Sequence, residues 1–240
     1  MNIKKSLLIL FLGAYINLGY AQRNIINLNN SWHFILEDNP NFSQEEFNDN
    51  LWTTLNVPLD WSFEKGVRKG GDQGQGGGYH DGGIGWYRKY FNVKKESLSK
   101  TIYINFDGVY MNSEVWVNGN YLGKRPYGYI SFRYDISKHL KEGKNTIAVR
   151  VDNSLEPSAR WYHPCGIYAS VKLIEVNKTH FKPNSLFIST PLIKTESATV
   201  NIEAEVNERI ERGRFATEDE WINADYFRIQ IITEDKNYYT

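Results

Sequence analysis

Apolar and polar residues alternate in short segments over much of the chain between residues 24 and 174. At 102–107, and again at 147–152, an apolar residue stands at every second position. A period of two predicts β-strands with one buried face. The same region shows no amphipathic helix longer than a turn or two, so we expect an all-β fold.

Turn residues separate these segments. Asn118 and Gly119 lie between two apolar runs and predict a type I′ hairpin turn, because both central residues of that turn need φ > 0. Asp135 precedes residues 136–140 in the pattern of an N-capped helical turn, which Gly143 ends. Many short strands joined by such connections predict a jelly-roll β-sandwich.

A glycine-rich stretch interrupts the strand pattern at 66–85. It is predicted to be a long loop. The glycine spacing, with no preceding strand and no following helix, argues against a phosphate cradle and therefore against a nucleotide site. A loop of this length is either a functional element or a surface excursion without a role, and the sequence leaves both open.

The pattern changes after Pro183. Residues 186–188, 198–202 and 226–232 are predicted to be strands, and the charged stretch 207–220 a loop. An immunoglobulin-like sandwich takes about 100 residues, so 181–240 is too short for a complete one. We expect a jelly-roll domain at 22–180 and an incomplete immunoglobulin-like domain at 181–240.

The first residues have the pattern of an export signal. Lys4 and Lys5 form a basic start, an apolar run at 6–18 is shorter than a membrane span, and Gly19 and Ala21 supply small residues before a cleavage site. We expect a signal peptide at 1–21, and a periplasmic or secreted mature chain without membrane attachment. An uncleaved membrane anchor is the alternative.

Charge and composition narrow the possible partners. Lys+Arg and Asp+Glu number 28 each, so no basic excess favours nucleic acid as a partner. Aromatic residues make up 15% of the chain and often line sites for polar ligands. The single cysteine, Cys165, excludes an internal disulfide, and the five histidines lack the close pairs of zinc motifs. We predict no metal and no cofactor.

Five motifs follow one another along the chain: FNDNLW at 47–52, VPLDW at 57–61, GWYRK at 85–89, YMNSEVWVNG at 110–119 and RWYHPCGIY at 160–168. Together they resemble the N-terminal sugar-binding domain of glycoside hydrolase family 2, the β-galactosidase and β-glucuronidase family. The resemblance covers residues 24–174 strongly.

The resemblance implies a galactose-binding-like jelly roll, an immunoglobulin-like domain and then a (β/α)₈ barrel that holds the catalytic carboxylates. Retaining hydrolysis needs two carboxyl groups about 5 Å apart. We expect the barrel to be missing here, so no catalytic residue is assigned and the chain is expected to be inactive alone. It is interpreted as the pocket-bracing front of an exported β-galactosidase-like enzyme. A free-standing carbohydrate-binding module and a remnant of a split gene are the alternatives.

The resemblance also implies site residues. The segment before the Gly-Ile-Tyr motif reaches the barrel's pocket in this family, which makes Arg160, Trp161 and Tyr162 candidates for binding a terminal β-galactoside-like sugar. Arg160 stands where several relatives carry aspartate, and a guanidinium donates hydrogen bonds but cannot accept them. The alternative is that Arg160 pairs with an acid such as Glu156 and that Trp161 is a core aromatic.

By the same resemblance, Arg125, Tyr127 and Tyr129 lie in a loop near the barrel and are candidate domain-interface residues. Plain surface aromatics are the alternative. Cys165 is expected to be a buried thiol. Carboxylates such as Asp60 and Asp81 are expected to have turn and capping roles.

Overall fold

The computed structural model describes residues 23–155, 162–194, 197–207 and 226–234. Up to residue 176 the described chain forms strands β1 to β10, joined by a short α-helix at Trp61–Lys65 and by 3₁₀ turns. The strands are β1 (Asn24–Asn27), β2 (Trp32–Ile35), β3 (Thr53–Leu55), β4 (Gly83–Val93), β5 (Thr101–Phe106), β6 (Ser113–Val117), β7 (Asn120–Arg125), β8 (Phe132–Asp135), β9 (Gly143–Asn153) and β10 (Val171–Val176).

These strands form two antiparallel sheets with a shared core. One sheet has the order β1-β10-β5-β8 and the other β3-β2-β4-β9-β6-β7. Ile104 and Leu173 from the first sheet lie in the same buried cluster as Trp32, Tyr87 and Val149 from the second. The predicted all-β sandwich is therefore confirmed.

In β5, Ile102, Ile104 and Phe106 are buried as predicted, but Asn105 on the opposite face is buried too, and β9 also departs from a single buried face. Ile147, Val149 and Val151 of β9 face the core, yet Ala148 on the opposite face is buried as well. Ala148 packs with Trp86, Phe42 and Trp52 in a second cluster, which lies beneath the segment 38–52. The prediction of one buried face was therefore wrong for the middle of β9, because a distant segment covers its other side.

Arg88 of β4 fastens this covering segment to the sheet. Its side chain is fully buried, and Nε donates to Oδ2 of the buried Asp49 at 2.9 Å. All five N–H groups of a guanidinium need acceptors when it is buried. The other acceptors are the carbonyl oxygens of Phe42, Gln44, Glu45 and Phe47, at 2.7, 2.8, 3.0 and 3.4 Å.

The predicted turns are present. Asn118 and Gly119 connect β6 to β7 with φ of 48° and 76°, as a type I′ turn requires. Asp135 Oδ1 accepts from the Ser137 amide at 2.9 Å. The turn that follows, Ser137–His139, is a 3₁₀ helix.

The strands predicted after Pro183 form a separate antiparallel sheet. They are β11 (Phe187–Ile193), β12 (Ser197–Glu205) and β13 (Tyr226–Glu234), in that order in the sheet. The predicted loop lies outside the described residues from 208 onward, as does the predicted export signal. Among the helices that are described, none is long and apolar enough to cross a membrane.

We expect Arg88→Met to lower the free energy of unfolding by about 3–5 kcal/mol, because it leaves the Asp49 carboxylate buried without its cation. Urea unfolding followed by tryptophan fluorescence measures this. Lys94→Met is the control, since Lys94 pairs with Glu96 on the surface at 4.0 Å and should leave the midpoint unchanged. Equal midpoints for the two variants would contradict the role given to Arg88.

Candidate functional site

Four of the five motifs meet around Gly166. Its amide donates to the Tyr110 carbonyl at 2.9 Å, and the Tyr110 amide donates back at 3.0 Å. Gly166 has φ of 105°, and a Cβ there would lie 2.2 Å from Tyr87 Oη and 2.8 Å from Trp61 Cε3. Only glycine fits this backbone angle and this space. The motifs at 57–61, 85–89, 110–119 and 160–168 are therefore neighbours at one end of the sandwich.

Asp60 ties the second motif to the last one. Its Oδ1 accepts from the amides of Ser62 and Phe63 at 3.0 and 3.2 Å, which caps the helix Trp61–Lys65. The same oxygen accepts from the Cys165 amide at 3.1 Å. The capping role predicted for Asp60 is confirmed, and it also fixes the start of the Gly-Ile-Tyr motif.

Tyr162 lies against this capped helix. Its hydroxyl donates to Asp60 Oδ2, and its ring packs on His80 with 4.5 Å between centroids. Burial, and then the hydrogen bond to the carboxylate, raise the pKa of Tyr162 well above its usual range, so the hydroxyl remains a donor. Tyr162 is 38% exposed. Because its hydroxyl is engaged with Asp60, a ligand would contact mainly its ring.

His163, the next residue, contacts a different loop. Its ring stacks on Tyr110 at 5.0 Å, with 9° between the planes. The Tyr129 hydroxyl hydrogen-bonds to His163 Nδ1. Tyr168 holds the same loop by donating from its hydroxyl to the Gly128 carbonyl at 2.7 Å. The 162–168 segment thus joins the helix on one side to the loop at 126–130 on the other.

The loop at 126–130 exposes large side chains to solvent. Tyr127 is 60% exposed, Tyr129 47% and Ile130 56%. We call Tyr127, Tyr129, Tyr162, His163 and His80 the aromatic surface. Clustered exposed apolar groups mark contact sites more often than scattered ones do.

The structure separates Arg125 from the two tyrosines with which it was grouped. The rings of Tyr127 and Tyr129 are 5.9 Å apart. The Arg125 guanidinium instead lies over Tyr134 of β8, 5.4 Å from the ring centroid. Arg125 is therefore at the margin of the aromatic surface.

The glycine-rich loop is compact. Gln73, almost fully buried, donates from Nε2 to the Asn153 carbonyl of β9 at 3.1 Å. A Cβ at Gly82 would lie 2.1 Å from that same carbonyl oxygen, and one at Gly71 2.0 Å from the Tyr79 carbonyl oxygen. The glycines let the loop pack closely on itself and on β9, which sequence reasoning did not detect because it could not tell which segments would meet.

Two carboxylates of this loop lie side by side. The hydrogen bond from Arg68 at 2.6 Å, and after it the hydrogen bond with the Asp72 side chain, lowers the pKa of Asp81 to about 2. Burial raises the pKa of Asp72. Arg68 thus holds Asp81 as an anion in a structural contact. In the described part of the chain, no group of three or more His, Cys, Asp and Glu side chains could hold a metal ion.

Cys165 is buried next to Asp60, as predicted. Burial raises the pKa of its thiol to about 11, and Asn153 Nδ2 donates to Sγ. Arg160, Trp161 and Glu156 lie outside the described residues. The described residues that flank this segment are Leu155 and Tyr162.

The chain is similar to known proteins over most of its length. Residues 75–177 match the family model for the sugar binding domain of glycosyl hydrolases family 2. A putative beta-glucuronidase of Formosa agariphila is 76% identical over 186 residues, 78% of this chain and 18% of the relative. Beta-galactosidase BoGH2A of Bacteroides ovatus is 42% identical over 197 residues, 79% of this chain and 23% of the relative.

Solved structures share the fold. A beta-glycosidase from Bacteroides vulgatus superposes with a TM-score of 0.74 at 42% identity, over 79% of this chain and 25% of that one. A glycosyl hydrolase family 2 member from Bacteroides cellulosilyticus gives 0.73 at 27% identity, over 87% and 30%.

Fold and comparisons together define a sugar-binding β-sandwich domain of the glycoside hydrolase class. The chain carries the sugar binding domain of glycoside hydrolase family 2, as its motifs indicated. It spans about a fifth of the length of these curated relatives.

We expect Gly166→Ala to destabilise the domain more than Gly143→Ala does. Both glycines have positive φ, 105° and 82°, but nothing lies within 4 Å of a Cβ at Gly143. The backbone conformation should cost about 1–2 kcal/mol in each variant, and the overlap with Tyr87 and Trp61 about 1–3 kcal/mol more in Gly166→Ala. Thermal unfolding of the two variants measures the difference, and equal losses would show that the close contact is unimportant.

Proposed function

We propose that this domain forms the sugar-facing wall of the active-site pocket in an exported family 2 glycoside hydrolase. In that enzyme a catalytic barrel elsewhere in the protein would carry out retaining hydrolysis of a terminal β-galactoside-like sugar. The observation that carries the proposal is the aromatic surface, which lies at the end of the sandwich where four motifs meet around Gly166.

The chemistry of this surface suits a sugar. A pyranose presents apolar C–H faces that pack on aromatic rings, and hydroxyl groups that need hydrogen-bond partners. Tyr129 and Tyr162 offer rings whose hydroxyls are already engaged by His163 and Asp60. Arg160 and Trp161, which directly precede Tyr162 in the sequence, are proposed to add a cationic donor and a further ring.

The loop at 126–130 is proposed to contact the catalytic barrel. Tyr127 and Ile130 are more exposed than Tyr129 and form no part of the His163 contact, so they are free to pack against another protein surface. Arg125, at the margin, would add a positive charge to the rim of that contact. Interfaces of this kind have an apolar centre and a polar rim.

The names of the relatives guide the choice of sugar. One of them is a putative beta-glucuronidase and another a beta-galactosidase. We take the β-galactoside as the proposed substrate class, so a test must compare it with a β-glucuronide. Stronger binding of the glucuronide would replace the proposed sugar and leave the proposed site intact.

Sugar binding can be tested with two exposed tyrosines. Calorimetric titration with methyl β-galactoside and methyl β-glucuronide should show weak binding to the 240-residue chain. Tyr129→Ala should lower the affinity roughly two- to thirteenfold, because a lost aromatic contact is worth about 0.5–1.5 kcal/mol. Tyr121→Ala is the matched control: Tyr121 is also exposed but packs on Trp116 of the six-stranded sheet. Equal effects of the two variants, or no heat from wild type at millimolar sugar, would refute the proposed site.

Export is proposed from the basic and apolar residues at 1–21. The intact mass of the protein recovered from the periplasm or medium of an expressing bacterium should correspond to a chain beginning at Gln22. Ala21→Leu should block processing, because signal cleavage needs a small residue at that position. Recovery of the full-length mass from wild type would refute cleavage there.

A further inference from the structure

His80 stands at the end of the glycine-rich loop with one ring nitrogen already engaged. Its Nδ1 lies 3.2 Å from the Ser62 carbonyl oxygen. Because a carbonyl can only accept, Nδ1 carries the proton, and in the neutral ring Nε2 has a free lone pair. Within the described parts of the chain, Nε2 has no hydrogen-bond partner.

The backbone of His80 is held within the loop. The Gln73 amide donates to the His80 carbonyl at 3.0 Å, and the His80 amide is 3.5 Å from the Gly77 carbonyl. Gln73 is in turn bound to β9 through Asn153. The Trp61 indole N–H donates to the Gly82 carbonyl at 3.3 Å. The loop therefore presents His80 from a fixed position.

The imidazole lies beside the Tyr162 ring, 4.5 Å away and tilted by 55°. The hydrogen bond from its hydroxyl to Asp60 holds the Tyr162 side chain in place. The ring of Tyr162 and the Nε2 edge of His80 thus form a fixed pair at the surface proposed to bind sugar. A sugar ring packed on Tyr162 would bring its hydroxyls close to Nε2.

Few of the other candidate groups can accept a hydrogen bond, and His80 Nε2 adds an acceptor. The guanidinium of Arg160 and the indole of Trp161 are donors only. The Tyr162 hydroxyl donates its proton to Asp60, and its oxygen keeps a lone pair that can accept. A sugar hydroxyl must also donate its own proton to an acceptor, or lose a hydrogen bond that it had in water.

We propose that His80 Nε2 accepts a hydrogen bond from a hydroxyl group of the bound sugar, which makes the glycine-rich loop a wall of the binding site. This inference rests on the proposed function, because it assumes that sugar binds at the aromatic surface. It gives the glycine-rich loop a binding role. The sequence alone left open whether this loop is functional or a surface excursion without a role.

Two substitutions of His80 distinguish the roles of its two ring nitrogens. In His80→Asn the side-chain amide can still donate to the Ser62 carbonyl, but no acceptor remains at the position of Nε2. In His80→Gln the longer side chain places an amide oxygen near that position. Titration with methyl β-galactoside and methyl β-glucuronide should show about a fivefold loss of affinity for His80→Asn, as expected for one hydrogen bond of about 1 kcal/mol, and a loss below about twofold for His80→Gln.

Monodeoxy sugars distinguish a direct contact from a structural effect. Removal of the hydroxyl that His80 binds should weaken binding to wild type but cause no further loss in His80→Asn, since the two partners form one interaction. Circular dichroism and urea unfolding check that each variant is folded. If His80→Asn does not fold, the deoxy series is measured on His80→Gln and on His80→Phe, which keeps an aromatic ring against Tyr162 but has no acceptor.

The outcomes separate this inference from the proposed function. Unchanged affinity in His80→Asn, or the same loss for every deoxy sugar in wild type and variant, would overturn the role of His80. The effect of Tyr129→Ala would then still support the aromatic surface as the sugar site. No sugar binding by wild type would overturn both.

Discussion

The arrangement of the loops around Gly166 depends on one constraint: this residue has no side chain. At this point the backbone passes so close to Tyr87 of the core that a Cβ would overlap its hydroxyl oxygen at 2.2 Å. That approach lets Leu59 donate to the Ile167 carbonyl at 2.9 Å, and lets Tyr110 pair with Gly166 itself. The loops that carry the aromatic surface are therefore positioned directly on the sandwich core.

Polar side chains, together with apolar contacts, hold the long connections in place. Arg88 fixes the segment 38–52 by five hydrogen bonds, and Asp60 fixes the residues around Cys165. A buried charge is tolerated only when its partners are complete, so each contact permits one arrangement of the loop. Apolar packing permits more exchange between arrangements. This difference explains how a domain with so much connecting chain presents side chains from fixed positions.

The parts of the fold that depend on local patterns could be predicted from the sequence. The alternation in β5 and the Asn118-Gly119 turn each reflect residues adjacent in the chain. The second buried face of β9 could not, because it is created by a segment about a hundred residues away. His80 was missed for the same reason: its value as a site residue depends on the Ser62 carbonyl and on Tyr162, which the folded chain brings to it.

Two carboxylates near the aromatic surface hold backbone segments in place. Asp60 accepts hydrogen bonds from three amides and a tyrosine, and Asp81 is paired with Arg68. Each carboxylate fixes the backbone beneath an aromatic side chain. Asp60 and Asp81 thereby help to determine where the rings of Tyr162 and His80 lie. They contribute in this way to the shape of the surface that a sugar would meet.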